Sequence, residues 1–96
     1  MAEEKVIEKE VTLLNRYGLH VRPAGLFAKT ASRYDADITV EKDGVEVSGK
    51  SIMALMTLEA VSGSVLKLKV SGPEAEDLLE EIEALVARKF DIPDEQ

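Results

Sequence analysis

Apolar residues recur along this chain with two different periods, and the order in which those periods alternate limits the folds open to it. Over residues 6–14 the pattern alternates: Ile7, Val11 and Leu13 share one side, with Glu8, Glu10 and Thr12 on the other. That is a strand with one buried face. Residues 15–20 break the pattern and read as a loop. Residues 21–33 return at helical spacing, with Ala24, Phe27, Ala28 and Ala31 facing the core and Pro23 in the first turn, where a missing N–H is tolerated. Two short strand patterns follow over 36–42 and 45–48, carrying Ile38, Val40, Val45 and Val47. Asp43-Gly44 between them tolerates positive φ and signals a tight hairpin.

Residues 51–58 carry no charge, and Ile52, Met53, Leu55, Met56 and Leu58 are too many for one face of so short a helix. Either that helix is buried all round or part of it is an exposed apolar patch. Residues 65–70 form a fourth strand, with Leu66, Leu68 and Val70 inward and Lys67 and Lys69 outward. Gly72-Pro73-Glu74 opens the last helix, with Pro73 suited to the first helical position and Glu74, Glu76 and Asp77 complementing the dipole. Ala75, Leu78, Leu79, Ile82, Leu85 and Val86 make its apolar stripe, and Arg88-Lys89 favour its C-terminal end. From Asp91 the chain is acidic, includes Pro93 and is expected to fray. The order β-α-β-β-α-β-α predicts an α+β fold: one four-stranded sheet, one face covered by helices and the other wet. The 96 residues suit a single domain with its core over about 6–90.

Several function classes drop out. There is no Cys, and the single His excludes a multi-histidine metal site. No apolar run reaches the length of a membrane span, and the acidic start lacks the features of a secretory signal, so the expected compartment is the cytoplasm. The net charge of −7 argues against nucleic acid or an anionic membrane as partner. The charge is unevenly placed. Residues 11–34 contain Arg16, Arg22, Lys29 and Arg33 and no acid, whereas residues 73–96 contain nine acidic and two basic residues. The basic segment is either an ordinary solvated surface or a site for an anion or an acidic partner.

His20 falls inside that segment, directly before a helix. Free backbone N–H groups of the first turn and the positive end of the helix dipole lie beside it. Arg22 is two residues on, Arg16 four back, and Gly18 lets the backbone approach closely. A helix amino end with an arginine is a good phosphate cradle, and a neutral imidazole can attack phosphorus. No Ser-His or Cys-His hydrolase motif is present. The residues alone leave two readings: His20 accepts a phosphoryl group, or it merely caps the helix.

The stretch Gly18-Leu19-His20-Val21-Arg22-Pro23-Ala24 resembles the active-site signature of the HPr family, the histidine-containing phosphocarriers of the sugar phosphotransferase system. Gly49-Lys50-Ser51-Ile52-Met53-Ala54-Leu55-Met56 resembles the segment around that family's regulatory serine. Their separation, the element order and the length also agree, over roughly residues 6–90. Val21 and Gly25 depart from the pattern, which would have a small or polar residue and an Ala or Thr there.

The resemblance implies an HPr-like open-faced sandwich with three helices on one face of an antiparallel sheet. It implies a phosphocarrier with a covalent phosphohistidine intermediate, without cofactor or metal, rather than a stand-alone enzyme. Enzyme I, phosphorylated by phosphoenolpyruvate, would pass its phosphoryl group to Nδ1 of His20, with Arg22 contacting it. The phosphohistidine would then donate to the IIA unit of a sugar permease. Partners would dock on the first two helices, at Arg16, Ile52, Met53 and Met56. Ser51 would be modified by an ATP-dependent HPr kinase/phosphorylase, and regulatory proteins join the expected partners. A monomer is expected. The alternatives are a nitrogen-type regulatory paralogue that moves no sugar and an interaction module in which His20 is never phosphorylated; Ser51 as a plain N-cap is the structural alternative to regulation.

Overall fold

The computed structural model describes residues 5–92. Its elements are β1 (Val6–Thr12), α1 (Val21–Ala31), β2 (Asp37–Lys42), β3 (Val45–Ser48), α2 (Ile52–Met56), β4 (Val65–Ser71) and α3 (Ala75–Ala87), closed by a single turn over Lys89–Asp91. The strands form one antiparallel sheet in the order β1-β4-β2-β3. The three helices cover one face of it, giving the α+β open-faced sandwich that the order of periods predicts.

Alternation decides the two faces. Leu66, Leu68 and Val70 of β4 and Val40 of β2 are fully buried, and Ile38 of β2 and Val11 of β1 are buried beside them. Ala24, Phe27, Ala28 and Ala31 of α1 and the whole expected stripe of α3 close over them. The other face is ionic. Lys67 and Lys69 of the central β4 meet carboxylates from both flanking strands and from β3 beyond, with Lys67 Nζ 3.9 Å from Glu8 of β1 and Lys69 Nζ 3.4 Å from Glu41 of β2 and 3.3 Å from Glu46 of β3. Between β2 and β3, Asp43 and Gly44 both take positive φ, as the hairpin signal requires. Val45 is the exception to the inward pattern: at the end of an edge strand it stays exposed.

Several element ends depart from expectation: β1 stops at Thr12 and not at 14, and α2 covers only Ile52–Met56 of the apolar run 51–58. Helix α1 stops at Ala31, because Arg33 and Tyr34 turn their N–H groups back to Thr30 and Ala31 in a tightened last turn. Pro73 lies before α3 and is not its first residue. Glu74 takes the N-cap position because it is clasped to Asp35, its carboxylate accepting from the Asp35 N–H at 2.6 Å while its own N–H donates to the Asp35 carbonyl. At the other end α3 stops at Ala87, with Arg88 as its C-cap paired to Asp91, and Lys89 lies beyond the helix. There Lys89, Phe90 and Asp91 all adopt left-handed φ, which returns Phe90 to the core at 1% exposure. Fraying is expected from Asp91, but Asp91 is tied into the closing turn, its N–H donating to the Arg88 carbonyl at 2.9 Å and its carboxylate pairing with the Arg88 guanidinium; residues 93–96 of that tail lie outside the described residues.

Candidate functional site

The loop from β1 to α1 is held at three points. Asn15 is buried, and its Nδ2 donates to the Gly18 carbonyl at 2.7 Å. The Leu19 N–H donates to the Ala60 carbonyl at 2.9 Å. Gly18, at φ +63°, passes so close to the loop after α2 that a Cβ there would lie 2.1 Å from the Ala60 oxygen. Only glycine allows both the backbone conformation and the approach. The chain thus reaches α1 in a fixed position.

His20 is the N-cap residue of α1 and is exposed. Its backbone is extended, and its carbonyl accepts the first helical bond, from the Ala24 N–H at 2.9 Å. Its side chain makes no capping hydrogen bond, so the imidazole is not spent on the helix. Pro23 has no N–H, which leaves Val21 and Arg22 as the first-turn donors that directly follow His20, at the positive end of an 11-residue helix. No acidic residue lies in that turn. The arrangement can take up a tetrahedral anion on the imidazole and offer it backbone donors.

Arg22, also in the first turn, is exposed, with its guanidinium free to follow such an anion. Arg16 is exposed in the preceding turn, its guanidinium carbon 5.2 Å from the centre of the Tyr17 ring. The α2 residues divide. Leu55 is fully buried and Leu58 nearly so, while Ile52, Met53 and Met56 are 42, 80 and 41% exposed. Of the two readings of this segment the exposed patch is the correct one. Helices α1 and α2 pack together, with Ile52 of the patch nearest Gly25 of α1. Met56 reaches a shallow depression that also contains His20, Tyr17 and Glu59; Ser51, Ile52 and Met53 do not line it. Ser51 is the N-cap of α2, its Oγ accepting from the Ala54 N–H at 3.2 Å.

Sequence reasoning missed Tyr17 and Glu59. The Tyr17 ring lies 5.7 Å from the imidazole, tilted by 52°. Glu59 holds a left-handed φ of 49° where glycine would be unstrained. A Tyr three residues from a His is a signal only once the intervening turn is known, and nothing in the sequence marks Glu59. Among the described residues no three His, Cys, Asp or Glu side chains gather to hold a metal ion, and no helix is long and apolar enough to cross a membrane.

Fold and site together define a small open-faced α+β sandwich with one exposed histidine at the amino end of its first helix, the architecture of a histidine phosphocarrier. Residues 7–88 match the family model for the PTS HPr component phosphorylation site. The phosphocarrier protein HPr of Treponema pallidum is 43% identical over 86 residues, spanning 90% of this chain and 98% of the relative. The crystal structure of HPr from Thermoanaerobacter tengcongensis superposes with a TM-score of 0.87 at 39% identity, over 91% of this chain and 98% of that one. A crystal structure of Crh, a catabolite repression protein of Bacillus subtilis, superposes at 0.70 with 36% identity, over 93 and 97% of the two chains, and is described as a swapped dimer. The chain belongs to the HPr family, the phosphocarriers of the phosphotransferase system.

Proposed function

We propose that this protein accepts a phosphoryl group from phospho-enzyme I on Nδ1 of His20 and passes it to the IIA unit of a sugar permease. The observation that carries the reading is the exposed imidazole at the amino end of α1, outside any capping bond. In the forward step the Nδ1 lone pair bonds to phosphorus as the donor's phosphorus–nitrogen bond breaks. The N–H groups of Val21 and Arg22 and the Arg22 guanidinium then hold the phosphoryl oxygens. Transfer onward reverses the same step on an acceptor.

Donor and acceptor dock on the α1–α2 face, at Arg16, Ile52, Met53 and Met56. An exposed apolar patch on α2, packed against a helix whose exposed charges, Arg22 and Lys29, are all basic, suits acidic partner surfaces and a modest, quickly released interface. The chain works as one domain, as a monomer, in the cytoplasm. Ser51 is the regulatory site of an ATP-dependent HPr kinase/phosphorylase. A phosphate on it adds about −1.5 to −2 charges beside the docking patch, repels acidic partners and slows transfer to His20.

Phosphoenolpyruvate with a matched enzyme I is expected to place acid-labile phosphate on the protein, and His20→Ala to abolish it. An unlabelled wild type would leave only an interaction module. ATP with the kinase is expected to label Ser51, and a label that persists in Ser51→Ala would mean another acceptor. The likeness to Crh favours a second reading, a regulatory paralogue that binds control proteins and moves no sugar. Passage of the label from the phosphoprotein to a IIA unit separates the two, and a size measurement in solution separates monomer from swapped dimer.

A further inference from the structure

An exposed histidine on two soft side-chain torsions samples several rotamers, and only some of them aim Nδ1 at an incoming phosphorus above the helix amides. The backbone of His20 is fixed by the bonds of Leu19 to Ala60 and of Ala24 to His20, but its side chain makes no capping bond. Among the described residues the ring meets one other aromatic ring, that of Tyr17, at 5.7 Å between centres and a tilt of 52°. That separation lies within the range at which aromatic rings pair favourably.

Tyr17 is itself held. It sits in a turn closed by Asn15 Nδ2 to the Gly18 carbonyl at 2.7 Å and by the Gly18 N–H to the Asn15 carbonyl at 3.3 Å, and the Asn15 side chain is buried. The Arg16 guanidinium carbon lies 5.2 Å from the ring centre, a cation–π contact. The chain therefore supplies a positioned aromatic surface beside an otherwise loosely held imidazole.

We propose that Tyr17 is a positioning residue for phosphoryl acceptance: its ring restricts the His20 imidazole to the orientation that meets the donor. The proposal rests on the reading of His20 as acceptor. It assigns the effect to the ring and not to the hydroxyl, and to the transfer step and not to docking. Tyr17 is 44% exposed, so replacing it leaves the core intact.

The test is the rate at which phospho-enzyme I labels the wild type, Tyr17→Phe and Tyr17→Leu, with the carrier concentration varied, together with proton NMR of the His20 ring in the unphosphorylated proteins. Tyr17→Phe is expected to match the wild type. Tyr17→Leu is expected to lower kcat by roughly two- to tenfold, the scale of one aromatic pair, with KM unchanged and the ring-current shift of the imidazole protons lost. A Tyr17→Leu protein labelled as fast as the wild type would overturn the proposal. So would a rise in KM at constant kcat, which would make Tyr17 a docking contact, or a Tyr17→Phe protein as slow as Tyr17→Leu. No label on the wild type would remove the acceptor reading and this inference together. A labelled wild type with an unaffected Tyr17→Leu would remove only the inference.

Discussion

At the scale of single residues, two side chains occupy equivalent helix positions and do different things. His20 and Ser51 are both N-cap residues with extended backbones. Ser51 uses its Oγ to satisfy the Ala54 N–H. His20 uses only its carbonyl and leaves its ring in solvent. A hydroxyl is short enough to reach back to the third N–H of the helix, and it is chosen for that; at His20 the third position is Pro23, which has no N–H to be capped. The imidazole is thereby released for chemistry. The serine has a structural role whatever its regulation: Ser51→Ala is expected to lower the unfolding free energy by about 1 kcal/mol, read from chemical denaturation. An unchanged midpoint would mean that the cap adds nothing to α2.

At the scale of elements, α1 combines a good site with a suboptimal helix. Gly25 lies in its interior, and a Cβ there would meet only the Ile52 Cδ1 at 3.9 Å, ordinary contact. No close approach explains the glycine. Gly25→Ala is expected to stabilise the protein by about 0.5–1 kcal/mol, raising Tm by roughly 2–8 °C. A lower Tm would show strain against α2. On the open face of the sheet, the Lys69 ammonium is held above its ordinary value of 10.5 by its hydrogen bond to Glu46, with a further contribution from Glu41 that together outweigh partial desolvation. Because the folded value lies above the unfolded one, this stabilisation is complete below about pH 10.5 and is lost as pH rises through the raised value. Lys69→Met is expected to lose less stability than the wild type between neutral pH and that alkaline range, measured by denaturation at stepped pH. Parallel losses would contradict the pairing. Most of this level was legible in the sequence. The stripe of α3 and the inward set of β4 follow from period alone. Helix ends were less legible, because Glu74 is fixed by Asp35, 39 residues away in sequence, and no local signal carries that.

At the scale of the whole molecule, charge and topology act together. Although the protein carries −7 overall, the charged residues of α1, Arg22 and Lys29, are both basic and exposed, α2 beside it carries no charge, and α3 carries five acidic residues and no basic one. The fold brings the loops on either side of the α1–α2 face into contact: the chain before α1 packs on Ala60 and Val61 after α2. His20, Met56 and Tyr17 therefore share one depression although the sequence separates them. His20 could be picked out from its setting and its motif, and the exposed patch was one of two readings of α2. Tyr17 and Glu59 could not be picked out, since their nearness to His20 depends on the turn at Gly18 and on a left-handed residue at 59. The return of Phe90 to the core through three left-handed residues was equally invisible, because non-glycine residues rarely adopt that conformation.

The central claim is that a phosphoryl group sits on His20 against the amides that begin α1. Amide NMR spectra recorded before and after phosphorylation by enzyme I test it most directly. The largest shifts are expected at Val21 and Arg22, together with coupling of phosphorus to the His20 ring. Shifts centred on another part of the fold, or a phosphorylated protein in which the Val21 and Arg22 amides do not move, would contradict it.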